Sequence, residues 1–222
     1  MKFSIPRQNL DKAIQRVLAV VSPKTTLPVL ANFLLEANEK EKKIFLTATD
    51  LDMTVTTGAD ATVEEGGSVT LPAKRFAEIV RELGDTDVSL SADGEEIAIK
   101  AGKSKFRIVG IPTEEFPSLP KSDRASAFSV DAGVLARMVD KVSFCTSRDE
   151  TRPSLNGAIW EFAADHMGMT ATDGHRLATF KTSGDFKALA GKNMIVPPKA
   201  LGHAVRIISA EADDTVSVSV HE

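Results

Sequence analysis

The chain has 222 residues, 42% of them hydrophobic and 26% charged, which is an ordinary globular composition and enough length for one large domain or two. A single cysteine, Cys145, excludes an intramolecular disulfide framework, and no apolar run reads as a signal peptide or a membrane span, so a cytoplasmic location with no membrane partner is expected. The net charge of −4 excludes a protein that is basic all over but not a nucleic-acid partner, because the distribution of charge decides that.

Residues 2–5 read as a short strand. Pro6 sits where a helix can begin, since proline lacks only an N–H that the first turn leaves unpaired. Leu10, Ala13, Ile14 and Val17 follow at helical spacing. A loop over 22–28 leads to three strands, over 29–36, 43–49 and 53–57. Gly66-Gly67 marks a turn. A second helix spans 73–83, with Phe76, Ile79, Val80 and Leu83 on its apolar face. Three more strands fit 88–91, 96–100 and 105–109, with Asp93-Gly94 as a hairpin turn. The segment 111–124 carries three prolines and no periodicity and reads as a linker.

The pattern then restarts. Phe128-Ser129-Val130 echoes Phe3-Ser4-Ile5, and Leu135, Val139 and Val142 repeat Leu10, Ile14 and Val17 at an offset of 125 residues. Leu71-Pro-Ala-Lys returns at the same offset of 125 as Val196-Pro-Pro-Lys, and Leu201, Ala204, Val205 and Ile208 continue the second helix as before. Thr47-Ala-Thr-Asp recurs at Thr170, 123 residues on, and Asp87-Val-Ser-Leu has an echo in Thr215-Val-Ser-Val. An internal duplication follows. The expected organisation is a first unit over 1–120, a linker over 121–127 and a second unit over 128–222. The second unit stops before any copy of the last two strands, so the chain reads as truncated within its second repeat.

Charge follows the repeat. Lys12 and Arg16 on the first helix match Arg137 and Lys141, and Lys74 and Arg81 on the second match Lys199 and Arg206. At 100° per residue each pair lies well away from its apolar stripe. The helical stretches 6–20, 73–84, 131–143 and 197–208 carry +2, +1, 0 and +2, which leaves −9 on the remainder of a chain whose total is −4. Basic helices and acidic sheets suit a surface that faces phosphates without reading bases. No helix-turn-helix, zinc-ligand spacing or RNA-binding signature is present, and the absence of tyrosine disfavours a base-stacking platform.

The densest polar chemistry lies in Thr170-Ala-Thr-Asp-Gly-His-Arg-Leu-Ala, whose plainer twin is Thr47-Ala-Thr-Asp-Leu-Asp-Met. Asp173-Gly174 is first a turn signal. The four histidines have no metal-ligand spacing and there is no Gly-rich phosphate loop, so neither a metal nor a cofactor is expected. A binding site suits the stretch: exposed backbone at Gly174, donors on His175 and Arg176, and apolar wall from Leu177 and Leu155. Two other readings stay open. One is a metal-dependent hydrolase using Asp50, Asp52, Asp173 and His175; the other is a repeat scaffold with no nucleic-acid partner.

These residues match a known family. The chain resembles the bacterial sliding clamps, the β subunits of the replicative DNA polymerase III. The resemblance rests on Met1-Lys-Phe, Thr26-Leu-Pro-Val-Leu, Thr47-Ala-Thr-Asp-Leu-Asp-Met, Val69-Thr-Leu-Pro-Ala-Lys-Arg-Phe, Gly102-Lys-Ser-Lys-Phe, Pro112-Thr-Glu-Glu-Phe-Pro, Ser154-Leu-Asn-Gly, Thr170-Ala-Thr-Asp-Gly-His-Arg-Leu-Ala and Ile195-Val-Pro-Pro-Lys. It implies an α+β fold of duplicated clamp units, each with antiparallel sheets outside and two helices lining an inner face around sequence-independent duplex DNA. It implies a non-catalytic processivity factor, with three units per subunit closing as a head-to-tail homodimer ring. It places Leu155, Thr172, Gly174, His175, Arg176 and Leu177 in a pocket for linear motifs of the polymerase, the clamp loader and repair proteins, completed by residues beyond 222. It sets Lys24 at a basic DNA contact. In the loop 148–154, Arg148 and Arg152 supply cations where some relatives have tyrosines at what are here Pro153 and Ser154. The edge around 103–106 lies near the subunit interface of the family.

Overall fold

The structure, a computed structural model, describes residues 1–21, 26–119, 127–147, 149, 151–210 and 215–219. The chain forms two compact units, Met1–Pro120 and Lys121–Glu222.

The first unit comprises β1 (Lys2–Pro6), α1 (Arg7–Leu18), β2 (Asn32–Asn38), β3 (Lys43–Thr49), β4 (Thr54–Asp60), β5 (Thr62–Glu65), β6 (Gly67–Pro72), α2 (Ala73–Glu82), β7 (Asp87–Asp93), β8 (Glu96–Ala101) and β9 (Ser104–Val109). Its strands make two antiparallel sheets, β4-β3-β2-β6 and β5-β1-β7-β8-β9. Alternation along the strands puts one side of each sheet inside: Phe33, Leu35 and Ala37 on β2, Ile97, Ile99 and Ala101 on β8. Leu10, Ala13, Ile14 and Val17 of α1 and Phe76, Ala77 and Val80 of α2 close the same core, and the two helices pack side by side.

Three local readings of the sequence change here. Residues 28–31 form a 3₁₀ turn rather than the start of a strand, because Pro28 favours a helical start and Val29 and Leu30 bury in a small separate cluster with Phe116. That contact also removes the first half of 111–124 from the expected linker and ties it to the first unit; 120–126 lie outside the described residues. The unforeseen strand β5 is polar. It forms because β1 offers an open edge, pairing Phe3 with Val63 and Ser4 with Thr62.

The second unit comprises β10 (Phe128–Asp131), α3 (Ala132–Val142), β11 (Ala158–Phe162), β12 (His166–Thr172), β13 (Leu177–Ser183), β14 (Asn193–Val196), α4 (Pro198–Ala210) and β15 (Thr215–Val218). The sheet β13-β12-β11-β14 repeats the order β4-β3-β2-β6, and β10–β15 repeats β1–β7. The registers agree as well: Phe3 faces Leu90 in one unit, and Phe128 faces Val218 in the other. α3 begins with a side-chain cap, Asp131 Oδ1 accepting from Val134 N at 2.7 Å, and α4 begins at Pro198. The core gathers Met138, Val142, Trp160, Phe162, Met167, Met169 and Leu201, with Phe128, Trp160, Phe162 and Phe186 in edge-on and tilted ring contacts. Among the described residues no helix is long and apolar enough to cross a membrane.

Candidate nucleic-acid and partner-binding sites

The core-facing stripe of each helix fixes where its cations go. Lys12, Lys74, Arg81, Arg137, Lys141, Lys199 and Arg206 are exposed. α1 lies beside α2 and α3 beside α4, so each unit carries its cations on a helix pair. Arg16 differs from its expected outward placement. It is half-buried with Nη1 3.5 Å from Thr57 Oγ1, because α1 packs over β4 and the long side chain lies along that strand. Arg81 also lies 3.5 Å from Glu82 Oε1. Arg7, unremarked in the sequence, turns inward: Nε and Nη2 donate to Val80 O and Arg81 O at 3.2 and 2.9 Å, satisfying carbonyls at the end of α2. Lys24 and Arg148 lie outside the described residues.

The turn from β12 to β13 is built by two side chains. Thr172 Oγ1 accepts from Gly174 N at 3.1 Å and donates to Arg176 O at 2.7 Å. Asp173 Oδ1 accepts from His175 N and Arg176 N, both at 3.0 Å, and Oδ2 accepts from Arg176 Nε at 2.9 Å. The N–H groups of His175 and Arg176, with the Arg176 side chain, lower the Asp173 carboxyl to about 2. Gly174 supplies φ +90°, and Leu177, the first residue of β13, is 64% exposed.

The upstream twin has the same frame. Thr49 Oγ1 accepts from Leu51 N and donates to Met53 O at 3.1 Å each, and Asp50 Oδ1 accepts from Met53 N at 2.8 Å. Leu51 occupies the position of Gly174 at φ 79°, with its side chain 60% exposed. A leucine there pays the left-handed penalty without compensating burial. Leu51→Gly is therefore expected to raise the stability of the first unit by about 1 kcal/mol, read as a higher thermal midpoint. An unchanged or lower midpoint would show that the side chain contributes more than its exposure suggests.

A cavity of about 970 Å³ opens beside the Asp173 turn. Its lining includes Asp173, His175 and Arg176 from that turn, Asp149, Arg152 and Asn156 from the preceding loop, Ser143 and Phe144 after α3, and Pro198 and Gly202 of α4. Two of the six expected pocket residues, His175 and Arg176, line it. Leu155 is half-buried, its amide bonded to Arg152 O at 2.9 Å and its carbonyl accepting from Ser147 N at 2.8 Å. Thr172 and Gly174 act in the turn itself. Phe144, 56% exposed, is an addition that the helical pattern did not flag, because it falls just past the apolar stripe of α3.

Nothing favours the hydrolase reading. Asp50 and Asp173 direct carboxylate oxygens to their own turns, and among the described residues no three His, Cys, Asp or Glu side chains are grouped to hold a metal ion.

A duplicated α+β unit, with a helix pair over antiparallel sheets and outward cations at matching positions, defines the class as a DNA-clamp fold. Family profiles agree: the N-terminal domain of the DNA polymerase III beta subunit matches residues 1–120, and its central domain matches 129–222. The chain belongs to that family. It is 35% identical to the beta sliding clamp of Chlamydia muridarum over 97% of this chain and 59% of that protein, and 37% identical to that of Caulobacter vibrioides over 99% and 60%. Crystal structures of the DNA polymerase sliding clamps of Bacillus subtilis and Caulobacter crescentus superpose with TM-scores of 0.93 and 0.91 at 29% and 36% identity, each covering 100% of this chain and 60% of the other. The chain thus spans about 60% of the length of these relatives.

Proposed function

We propose that the protein works as a DNA sliding clamp, a non-catalytic accessory subunit that encircles duplex DNA and tethers the replicative polymerase and other partners by their linear motifs. The observation that carries this reading is the set of cations at four matched helix positions in each repeat, seven of the eight side chains exposed, in units of clamp fold. Diffuse attraction between these cations and phosphates, screened by water, holds a duplex without reading bases and lets it slide. Ring closure then keeps the protein on DNA, as the head-to-tail dimer of three-unit subunits implied by the resemblance. A tethered polymerase gains effective concentration at the primer end.

The partner pocket of this reading is Leu155, Thr172, Gly174, His175, Arg176 and Leu177. Exposed Leu177 beside polar donors is the combination a linear motif with apolar anchors needs. Titration with a Gln-x-x-Leu-Phe peptide tests it. A variant carrying His175→Ala and Leu177→Ala is expected to bind at least about tenfold more weakly than the parent, the usual cost of removing a binding hot spot. Equal binding by parent and variant would sink the pocket. A longer chain that includes the third unit should bind more tightly than this one.

A further inference from the structure

Arg176 is held from two sides. Its Nε donates to Asp173 Oδ2 at 2.9 Å, and its guanidinium carbon lies 5.5 Å from the centroid of the Phe144 ring. Both supports are fixed independently. Asp173 closes its turn through Oδ1, and Phe144 sits in a 3₁₀ turn anchored by buried Cys145 and by Thr146 N donating to Ser143 O at 3.2 Å. Among the described residues the two Nη groups of Arg176 have no hydrogen-bond partner. A lone surface arginine loses much rotamer entropy when a ligand orders it; one already gripped at Nε and stacked on a ring does not.

The first unit shows that the turn does not need this arrangement. Its twin closes with the same threonine and aspartate bonds but has Met53 in place of Arg176, and Ala19 stands at the repeat position of Phe144. The Oδ2–Nε bond and the ring are therefore additions of the second unit.

We propose that Asp173 and Phe144 are positioning residues that preorganise the Arg176 guanidinium to donate to a main-chain carbonyl or carboxylate oxygen of an extended partner peptide. This rests on the partner pocket proposed above. A peptide fits better than a nucleic-acid phosphate, because each arginine lining the cavity is matched by a carboxylate: Asp173 at 2.9 Å from Arg176, and Asp149 at 3.7 Å from Arg152. The local field is close to neutral, and exposed Phe144 adds apolar wall.

The test compares the parent chain with Asp173→Asn, Phe144→Ala and Arg176→Ala, each checked for fold by circular dichroism. Asparagine retains the Oδ1 acceptor of the turn and removes only the grip on Nε. In NMR spectra the Arg176 Nε–H of the parent should exchange slowly with water, and both positioning variants should lose that protection. Binding of the Gln-x-x-Leu-Phe peptide should weaken about three- to fivefold in each, the scale of one partly exposed charged contact. Asp173→Asn should cost nothing further in the Arg176→Ala background. Retained protection, or unchanged peptide affinity in both variants while the parent binds, would overturn the proposal alone. No peptide binding by the parent, in this chain or in the longer one, would overturn the pocket and the proposal together. A duplex DNA affinity that depends on Asp173 and Phe144 while peptide affinity does not would overturn the peptide assignment in favour of phosphate.

Discussion

Replacing Lys12, Lys74, Arg81, Arg137, Lys141, Lys199 and Arg206 with glutamine is expected to weaken binding of a short DNA duplex at low salt by roughly 100-fold or more and to flatten its salt dependence. Each phosphate that a cation neutralises releases counterions and contributes about 0.9 to the slope of log affinity against log salt. If only two or three of the seven meet phosphates at once, the slope falls by about two to three. Arg16 is left in place because its Nη1 reaches Thr57 Oγ1 and its removal would disturb α1 on β4. Fluorescence anisotropy across a salt series reads both effects, and base sequence should change neither. An unchanged affinity and slope would mean that these side chains are only a solvated helix face, and the reading as a clamp would lose its physical basis.

Gly110→Ala is expected to destabilise the first unit by about 3 kcal/mol or more, with a fall of roughly 10 °C in thermal midpoint. A Cβ at Gly110 would lie 2.1 Å from Thr70 O, a backbone atom of β6. Thr70 cannot move aside. It pairs with Leu34 in the sheet, its Oγ1 donates to Ile111 O at 2.6 Å, and the same oxygen accepts from Ile111 N at 2.7 Å and Asn32 Nδ2 at 3.1 Å. The methyl group would separate β6 from the strand end and break that network, leaving buried polar groups unpaired. Gly94→Ala is the control. It sits at φ +56° with nothing within 4 Å of an added Cβ, so only the left-handed backbone penalty of about 1–2 kcal/mol applies. Similar losses for the two would show that β6 yields to the added methyl at little cost and that the approach of Gly110 to Thr70 O does not require glycine.

Much of the fold was legible in the sequence because duplication writes the same pattern twice. Leu10, Ile14 and Val17 against Leu135, Val139 and Val142 identify α1 and α3 as copies, and the paired helices then share a buried stripe and an outward basic one. The two Thr-Asp turns were visible as motifs, and both fold on the same threonine and aspartate bonds. β5 was not legible, since Thr62–Glu65 has no apolar rhythm and takes its conformation from the free edge of β1. The placement of Phe116 with Val29 and Leu30 was also hidden, being a contact across some 85 residues of chain.

What the sequence alone determined is the set of local, periodic features: the repeat, the four amphipathic helices, the segregation of charge, and the turns that carry Asp50 and Asp173. These depend on spacing of 2 or 3.6 residues and on short-range hydrogen bonds, so neighbouring residues contain the information. Only the tertiary structure decided which cations stay outside, turning Arg7 and Arg16 inward toward Val80 O and Thr57. It likewise decided that Gly110 must pass Thr70 without a side chain, and that Phe144 and Asp173 grip Arg176. Each of these joins residues 32 to 73 positions apart, except the short step from Asp173 to Arg176, and depends on how packed elements bring side chains to one place.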